Sequence, residues 1–269
     1  MKRILSIIAI AAVCLSAVSC GQGNSKKKKT EAASVKSQAE LQQEALVKIH
    51  LDSISADLNK IKPVAIISSI KDGKVTLTDA EKMVKPDYLM APGVASDLQT
   101  LSQKYRAVAI LGIDSEVAKL YDMPVADYEA TLSKLLVDVD DAALKDVVTS
   151  DDVFAAFDGF YTSSKENDRV SLFWDASAAA IVEQLYIASQ NSDKFLSSFT
   201  DQTASDFTYH ISLLTIAIED LASINPEYAA LNEAIKPIIV INAVSVDQFK
   251  EQLASAKEGI AASREALLK

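Results

Sequence analysis

Beyond residue 20 the chain has no cysteine; its two, Cys14 and Cys20, both lie in the first twenty residues. A body without thiols has no disulfide, no cysteine nucleophile and no thiolate metal site. Histidine is almost as scarce. His50 and His210 are far apart in sequence and in no His-x-x-x-His spacing, so a zinc site would need both plus acids from elsewhere. There is no Gly-x-Ser-x-Gly turn and no glycine-rich phosphate loop. Seven glycines and six prolines in 269 residues leave few turn signals. With Ala, Leu, Ser, Asp and Lys abundant, that scarcity argues for long helices and short connections. Basic charge is also short, at 27 basic residues against 37 acidic. Setting aside Lys2, Arg3 and the four residues Lys26 to Lys29 leaves 21 against 37, a net of −16. Such a body carries no basic patch for nucleic acid. Its charge keeps it in solution and repels it from an anionic membrane.

What is present starts at the amino terminus. Lys2 and Arg3 precede an apolar run from Ile4 to Val18, 15 residues long. A membrane-spanning helix needs roughly 20, so length and flanks fit a secretory signal peptide. Ala17-Val18-Ser19-Cys20 resembles a bacterial lipobox, with Ala17 where Leu is commoner. The resemblance implies cleavage before Cys20, a diacylglyceryl thioether on its sulfur and usually an acylated amine. Several acyl chains anchor firmly where one binds only marginally. The alternative is ordinary cleavage with Cys20 left free. Residues 20–34, rich in Gly, Ser, Lys and Ala, are too polar to order themselves and read as a tether. Lys26 to Lys29 either rest on anionic head groups, at about 1 kcal/mol per lysine, or are solvated spacer.

Along the body, Val47, Leu51, Ile54, Leu58 and Ile61 recur at helical spacing, ended by Pro63. The segment "PVAIISSIKDGKVTLT" reads either as a hairpin about Asp72-Gly73 or as a short helix and turn. It also mimics a calcium loop, but Ser68 and Ile70 fall where carboxylates are needed. Thr78-x-x-Glu81 is a capping box opening a short helix. A long helix is expected from about Pro92 to Tyr121, another after Pro124, shorter ones near 141–148 and 151–164, and apolar ones over 169–189 and 203–223. "IIVINAV" reads as a short strand or a buried turn. Ser245-x-x-Gln248 caps a last helix over 246–268. Two pairs of segments, 94–121 with 125–137 and 170–189 with 203–223, share one pattern and hint at related hairpin halves.

"QKYRAVAILGIDSEVAKLYDM" and "SAAAIVEQLYIASQ" resemble an uncharacterised group of Bacteroidota lipoproteins. The resemblance rests on Arg106-Ala107 through Gly112-Ile113-Asp114 and on Glu183-Gln184-Leu185-Tyr186, and would cover the lipobox and roughly residues 86 to 190. The chain departs from that group in having fewer glycines in the first helix and no Trp before Glu183. The group implies a helical, membrane-tethered periplasmic protein and attaches no chemistry. Surface-exported lipoproteins of that phylum carry acidic residues after the cysteine. Here lysines follow, and Gly21 is no Asp retention signal, so the expected location is the outer membrane, facing the periplasm.

Two acids stand out inside apolar faces. Asp114 has Ala107, Ile110, Leu111, Val117, Ala118 and Tyr121 as its helical neighbours; Glu183 has Ala176, Ala179, Ala180, Tyr186 and Ile187. An unpaired buried charge is costly, so each needs a donor or a raised pKa. Either they converge on a cation or cationic ligand, or each is satisfied by Tyr, Ser, Arg or Lys. The acidic run "DVDDAALKDVVTSDD" lacks calcium-loop spacing and reads as caps and solvated face. Phe154, Phe157, Phe160, Tyr161, Phe173 and Trp174 form core or line an apolar groove. The sequence therefore predicts an all-α multi-helix bundle of roughly ten helices. Residues 1–19 are a signal peptide, 20–34 a tether lipidated at Cys20, and 35–269 one domain. The expected function is a membrane-tethered, non-enzymatic lipoprotein that binds a partner protein or envelope component, with no cofactor, metal or nucleic acid. A ligand or cation binder using Asp114 and Glu183, and a hydrolase with an unrecognised site, are the alternatives.

Overall fold

The helix-forming composition is expressed throughout the computed structural model, which describes residues 37–60, 66–149 and 153–269; the side chains of residues 59 and 153–157 are outside that description. The signal-peptide run, Cys20 and the lysine tether lie outside the described residues. So do Ile61, Pro63, Asp151 and Asp152, and the side chains of Phe154 and Phe157. Among the described residues the secondary structure is helical, with no strand. In order these are α1 (Gln38–Lys60), α2 (Ile66–Lys71), α3 (Asp79–Met83), α4 (Leu101–Leu120), α5 (Ala126–Val139), α6 (Ala142–Thr149), α7 (Val153–Glu166), α8 (Val170–Gln190), α9 (Ser192–Phe195), α10 (Asp201–Ile224), α11 (Ala229–Ile235) and α12 (Val246–Ala266). Short 3-10 segments occupy Pro92–Asp97, Pro226–Tyr228 and Lys236–Val240. Residues 37–269 make one compact unit.

Local signals set the helix ends. Thr78, Thr100 and Thr200 each accept from the backbone N–H three residues on, in reciprocal capping boxes. Ser245 caps α12 through the Gln248 N–H. At C-terminal ends the chain uses aspartate where others use glycine. Asp122, Asp140 and Asp168 have φ of 51°, 49° and 59°, following α4, α5 and α7. Asp tolerates the left-handed region better than most residues, which is how seven glycines suffice.

One expectation is corrected and two open readings are resolved. The helix expected from Pro92 to Tyr121 is broken: the 3-10 turn ends at Asp97, Leu98 is buried in extended backbone, and Thr100 starts α4. Sealing the N–H groups of α4 with Thr100 and Gln103 stops the helix from continuing backward. The Asp72-Gly73 segment is a helix and turn, not a hairpin. Ile66, Ile67 and Ser69 of α2 are buried on one side, and Gly73 takes φ 68° after it. "IIVINAV" resolves into the 3-10 turn and a loop, with Ile238, Ile241 and Ala243 buried.

The core centres on α4 and α8, which pack along their lengths, with α12 laid on α8 and α5 on α4. Arg106 meets Asp175, and eight residues further Asp114 meets Glu183. The two helices therefore run parallel, in register at a constant offset. They are the apolar members of the two segment pairs noted above. α1 packs on α10 through its stripe of Val47, Leu51, Ile54 and Leu58. Its polar side is tied by His50 Nδ1 to Asp220 at 2.5 Å, and by Asp52 to the Tyr161 hydroxyl (2.9 Å) and Lys165 (2.7 Å).

One glycine is required by packing. A Cβ on Gly259 of α12 would stand 2.8 Å from the Pro237 Cβ, whereas one on Gly112 of α4 would meet only Val148 at 3.8 Å. Gly259→Ala is expected to cost about 1–3 kcal/mol by forcing α12 off the Lys236–Val240 turn. Gly112→Ala is expected to be neutral or to stabilise by up to about 1 kcal/mol, the ordinary helix-interior gain. Paired thermal melts separate the two; equal shifts would refute the packing argument.

Candidate functional site

Asp114 on α4 and Glu183 on α8 are both fully buried, and they are brought together. The cation between them is the chain's own. Arg264, on α12, places Nε 2.6 Å from Glu183 Oε2 and Nη2 3.1 Å from Asp114 Oδ2. Its guanidinium carbon lies 4.3 Å from the centroid of the Tyr186 ring, a cation–π contact on its open side. Asp114 Oδ2 also accepts from the Met90 N–H at 2.8 Å, and the Tyr128 hydroxyl donates to the Met90 carbonyl at 2.8 Å. The cluster thus joins α4, α5, α8, α12 and the segment before the first 3-10 turn. Tyr88, from that segment, packs edge-on against Tyr186 at 6.3 Å.

The electrostatics follow from burial. Loss of solvent pushes the Asp114 carboxyl well above its ordinary value, the Glu183 charge adds to that, and Arg264 only partly opposes it. Burial also raises Glu183, but Arg264 pulls back through charge and hydrogen bond. Burial works against the Arg264 charge too, and the two carboxyls more than offset it. Tyr128 is pushed up to about 12 by burial and then by the Asp114 charge.

A second buried ion pair lies two helical turns back along the same helices. Arg106 holds Asp175 Oδ1 through Nε at 2.6 Å and Nη2 at 2.5 Å, the Tyr228 hydroxyl donates to Oδ2 at 3.0 Å, and Arg106 Nη1 reaches the Leu267 carbonyl at 3.2 Å. Here one guanidinium meets one carboxylate, and both carboxylate oxygens are occupied.

The sequence reading missed Arg264 and Asp175. The signal was there for Arg264: Phe249, Leu253, Ala256 and Ile260 of α12 and Leu267 just after it are buried at helical spacing, and Arg264 falls on that stripe. A charge on an apolar stripe needs a partner, just as Asp114 and Glu183 did.

The other candidates are more ordinary. His50 is surface-exposed on Asp220, and His210 lies on α10 away from it in sequence. Among the described residues no group of three His, Cys, Asp or Glu is placed to hold a metal ion. Phe160, Tyr161, Phe173 and Trp174 form a closed aromatic cluster with centroids 5.0–6.2 Å apart along its chain of contacts. Asp72 pairs with Lys74 on the surface. A polar hollow of about 450 Å³ opens between Lys74, Thr76, Glu81, Asn191 and Lys194. Both its lysines are already committed: Lys74 bonds Asp72 at 2.8 Å, and Lys194 bonds Glu81 at 2.8 Å and, with Thr78, holds that carboxyl down to about 2.

What the buried cluster does chemically is join helices. Both its acids are closed to solvent, so neither is placed to take a proton from a bound substrate. No family model, curated protein or solved structure matches this chain. Among the described residues no helix is long and apolar enough to cross a membrane.

Proposed function

We propose that this chain is a lipid-anchored protein of the bacterial envelope, held by acyl chains on Cys20 to the outer membrane on its periplasmic side, and that it works by binding a protein or other envelope component rather than by catalysis. The observation that carries the reading is Ala17-Val18-Ser19-Cys20, directly after a 15-residue apolar run and directly before a polar, lysine-bearing tether. Two further points support it. Among the described residues no helix is long and apolar enough to cross a membrane, which is compatible with attachment through acyl chains. And the two acids on apolar faces of the body, Asp114 and Glu183, are both engaged by Arg264.

A ligand or cation site on the Asp114 and Glu183 face has one observation in its favour, the convergence of the two acids. Against it, Arg264 sits where that cation would sit. An added cation would have to displace a hydrogen-bonded guanidinium.

The test is made in the native host. Mass spectrometry of the amino-terminal peptide is expected to find Cys20 acylated and first in the mature chain. Cys20→Ser is expected to move the protein from the membrane to the soluble fraction. Crosslinking with the tether intact is expected to recover a partner that the Cys20→Ser protein loses. A bare Cys20 on freely soluble wild-type protein would overturn the anchor. Turnover of a substrate by the body would overturn the binding role.

A further inference from the structure

The cluster around Arg264 does not balance if both acids are ionised. Two carboxylates and one guanidinium leave a net negative charge in a site where Asp114 and Glu183 are fully buried and Arg264 is 9% exposed. Hydrogen bonds do not balance either. Asp114 Oδ2 accepts from Met90 and Arg264, and Glu183 Oε2 accepts from Arg264. The remaining oxygens, Asp114 Oδ1 and Glu183 Oε1, are buried with no donor. A buried acceptor without a donor costs about 1–3 kcal/mol, and more when charged. One proton cures both faults: it cancels the excess charge, and it turns two orphaned oxygens into the donor and acceptor of a single hydrogen bond. The balanced pair at Arg106 needs no such proton, since both oxygens of Asp175 already have donors.

We propose that Asp114 and Glu183 share one titratable proton, carried on Asp114 Oδ1 and donated to Glu183 Oε1, and that this proton latches α12 and the Met90 segment onto the α4–α8 pair. Glu183 is the ionised member because it takes the shorter bond to Arg264, 2.6 Å against 3.1 Å. The titratable and charged groups facing Asp114 are Glu183 and Tyr186 from α8, Arg264 from α12, Tyr128 from α5 and Tyr88 from the segment before the first 3-10 turn, with Asp87 acting on Tyr186. Burial raises all three tyrosines, so they stay neutral while Asp114 titrates. The raised Asp114 carboxyl agrees with its holding the proton. When base removes it, a second negative charge appears beside one arginine, and repulsion acts between the helices it joined.

The sign of the pH dependence follows. The folded protein holds this proton above the ordinary carboxyl value of 3.8. Between that value and the raised one, the native state binds one proton more than the unfolded chain. Stability therefore falls as pH rises through this interval, by about tenfold in the folding constant per pH unit. An ionised, ion-paired aspartate would give the opposite sign, stability gained as pH rises through the acid range.

The first measurement needs no variant. Infrared spectra of the full-length protein, with aspartate carbon-13 labelled, are expected to hold a protonated-carboxyl band at neutral pH that shifts with the label and disappears at alkaline pH. The second compares urea stability against pH for wild type and Asp114→Asn. Asparagine keeps an acceptor for Met90 and Arg264 and offers Glu183 a permanent donor. The wild type is expected to lose stability relative to Asp114→Asn by the one-proton slope above about pH 4, and the variant to lack the band. Three results would overturn the proposal: no labelled protonated band at neutral pH; a difference profile of the opposite sign; or stabilisation of wild type, but not of Asp114→Asn, by sodium or potassium over choline at fixed ionic strength. The last would put a metal cation where the proton is assigned.

Discussion

Arg264→Met is expected to destabilise the protein by about 3–5 kcal/mol, the cost of removing one partner from a buried ionic group. Methionine fills much of the volume of the arginine stem but carries no donor. Glu183 Oε2 then loses its donor, and Asp114 Oδ2 keeps only the Met90 N–H. Two buried acids are left with no cation, and the cation–π contact with Tyr186 goes as well. The loss belongs to the acids rather than to the arginine. Adding Asp114→Asn and Glu183→Gln to Arg264→Met is therefore expected to recover most of it, because a neutral cluster of similar shape leaves no uncompensated charge. Urea titrations with an unchanged m-value would measure both effects. A loss below about 1 kcal/mol for Arg264→Met would mean that the cluster is hydrated and the exposed-pair scale applies.

Trp174→Ala is expected to cost a similar 3–5 kcal/mol, through a different mechanism. Trp174 is fully buried on α8, edge-on to Phe173 at 5.0 Å and near Tyr161 at 6.2 Å. Its removal opens a cavity at the junction of α7 and α8, which the α4–α8 core beside it cannot close without moving. The indole Nε1 is buried and has no hydrogen-bond partner, so Trp174→Phe surrenders no hydrogen bond and is expected to cost clearly less than the alanine change. Far-UV circular dichroism should follow both unfolding curves, because Trp174 is the only tryptophan and its fluorescence is lost in the variants. A phenylalanine variant as unstable as the alanine one would point to a polar role for the indole N–H.

The two expected losses concern one helix pair, and they differ in how visible they were. The apolar run around Trp174 announces core by composition. The stripe through Val47, Leu51, Ile54 and Leu58 announces the buried face of α1 by spacing. The boxes at Thr78-Glu81 and Ser245-Gln248 announce helix starts by local hydrogen bonding. All three signals act within a few residues, and all match the structure. The expected long helix over 92–121 went wrong because its apolar spacing runs through the break; the cap at Thr100 and Gln103, a local signal passed over, ends it. The segment about Asp72-Gly73 had turn chemistry suited to either a hairpin or a helix end, and the burial of Ile66 and Ile67 against the bundle selected the helix.

The sequence by itself determined the all-helical class, most helix limits and the fact that Asp114 and Glu183 lie on apolar faces, because propensity, capping and periodicity are short-range. It did not say what those acids meet. Asp114 and Glu183 are separated by 69 residues, and Arg264 lies 81 beyond Glu183. Their meeting depends on α4 and α8 lying parallel in register and on α12 crossing them with its one buried arginine at that level. Those choices belong to the packing of whole helix faces, where each contact is fixed by all the others, so only the tertiary structure decided that three scattered charges form one cluster.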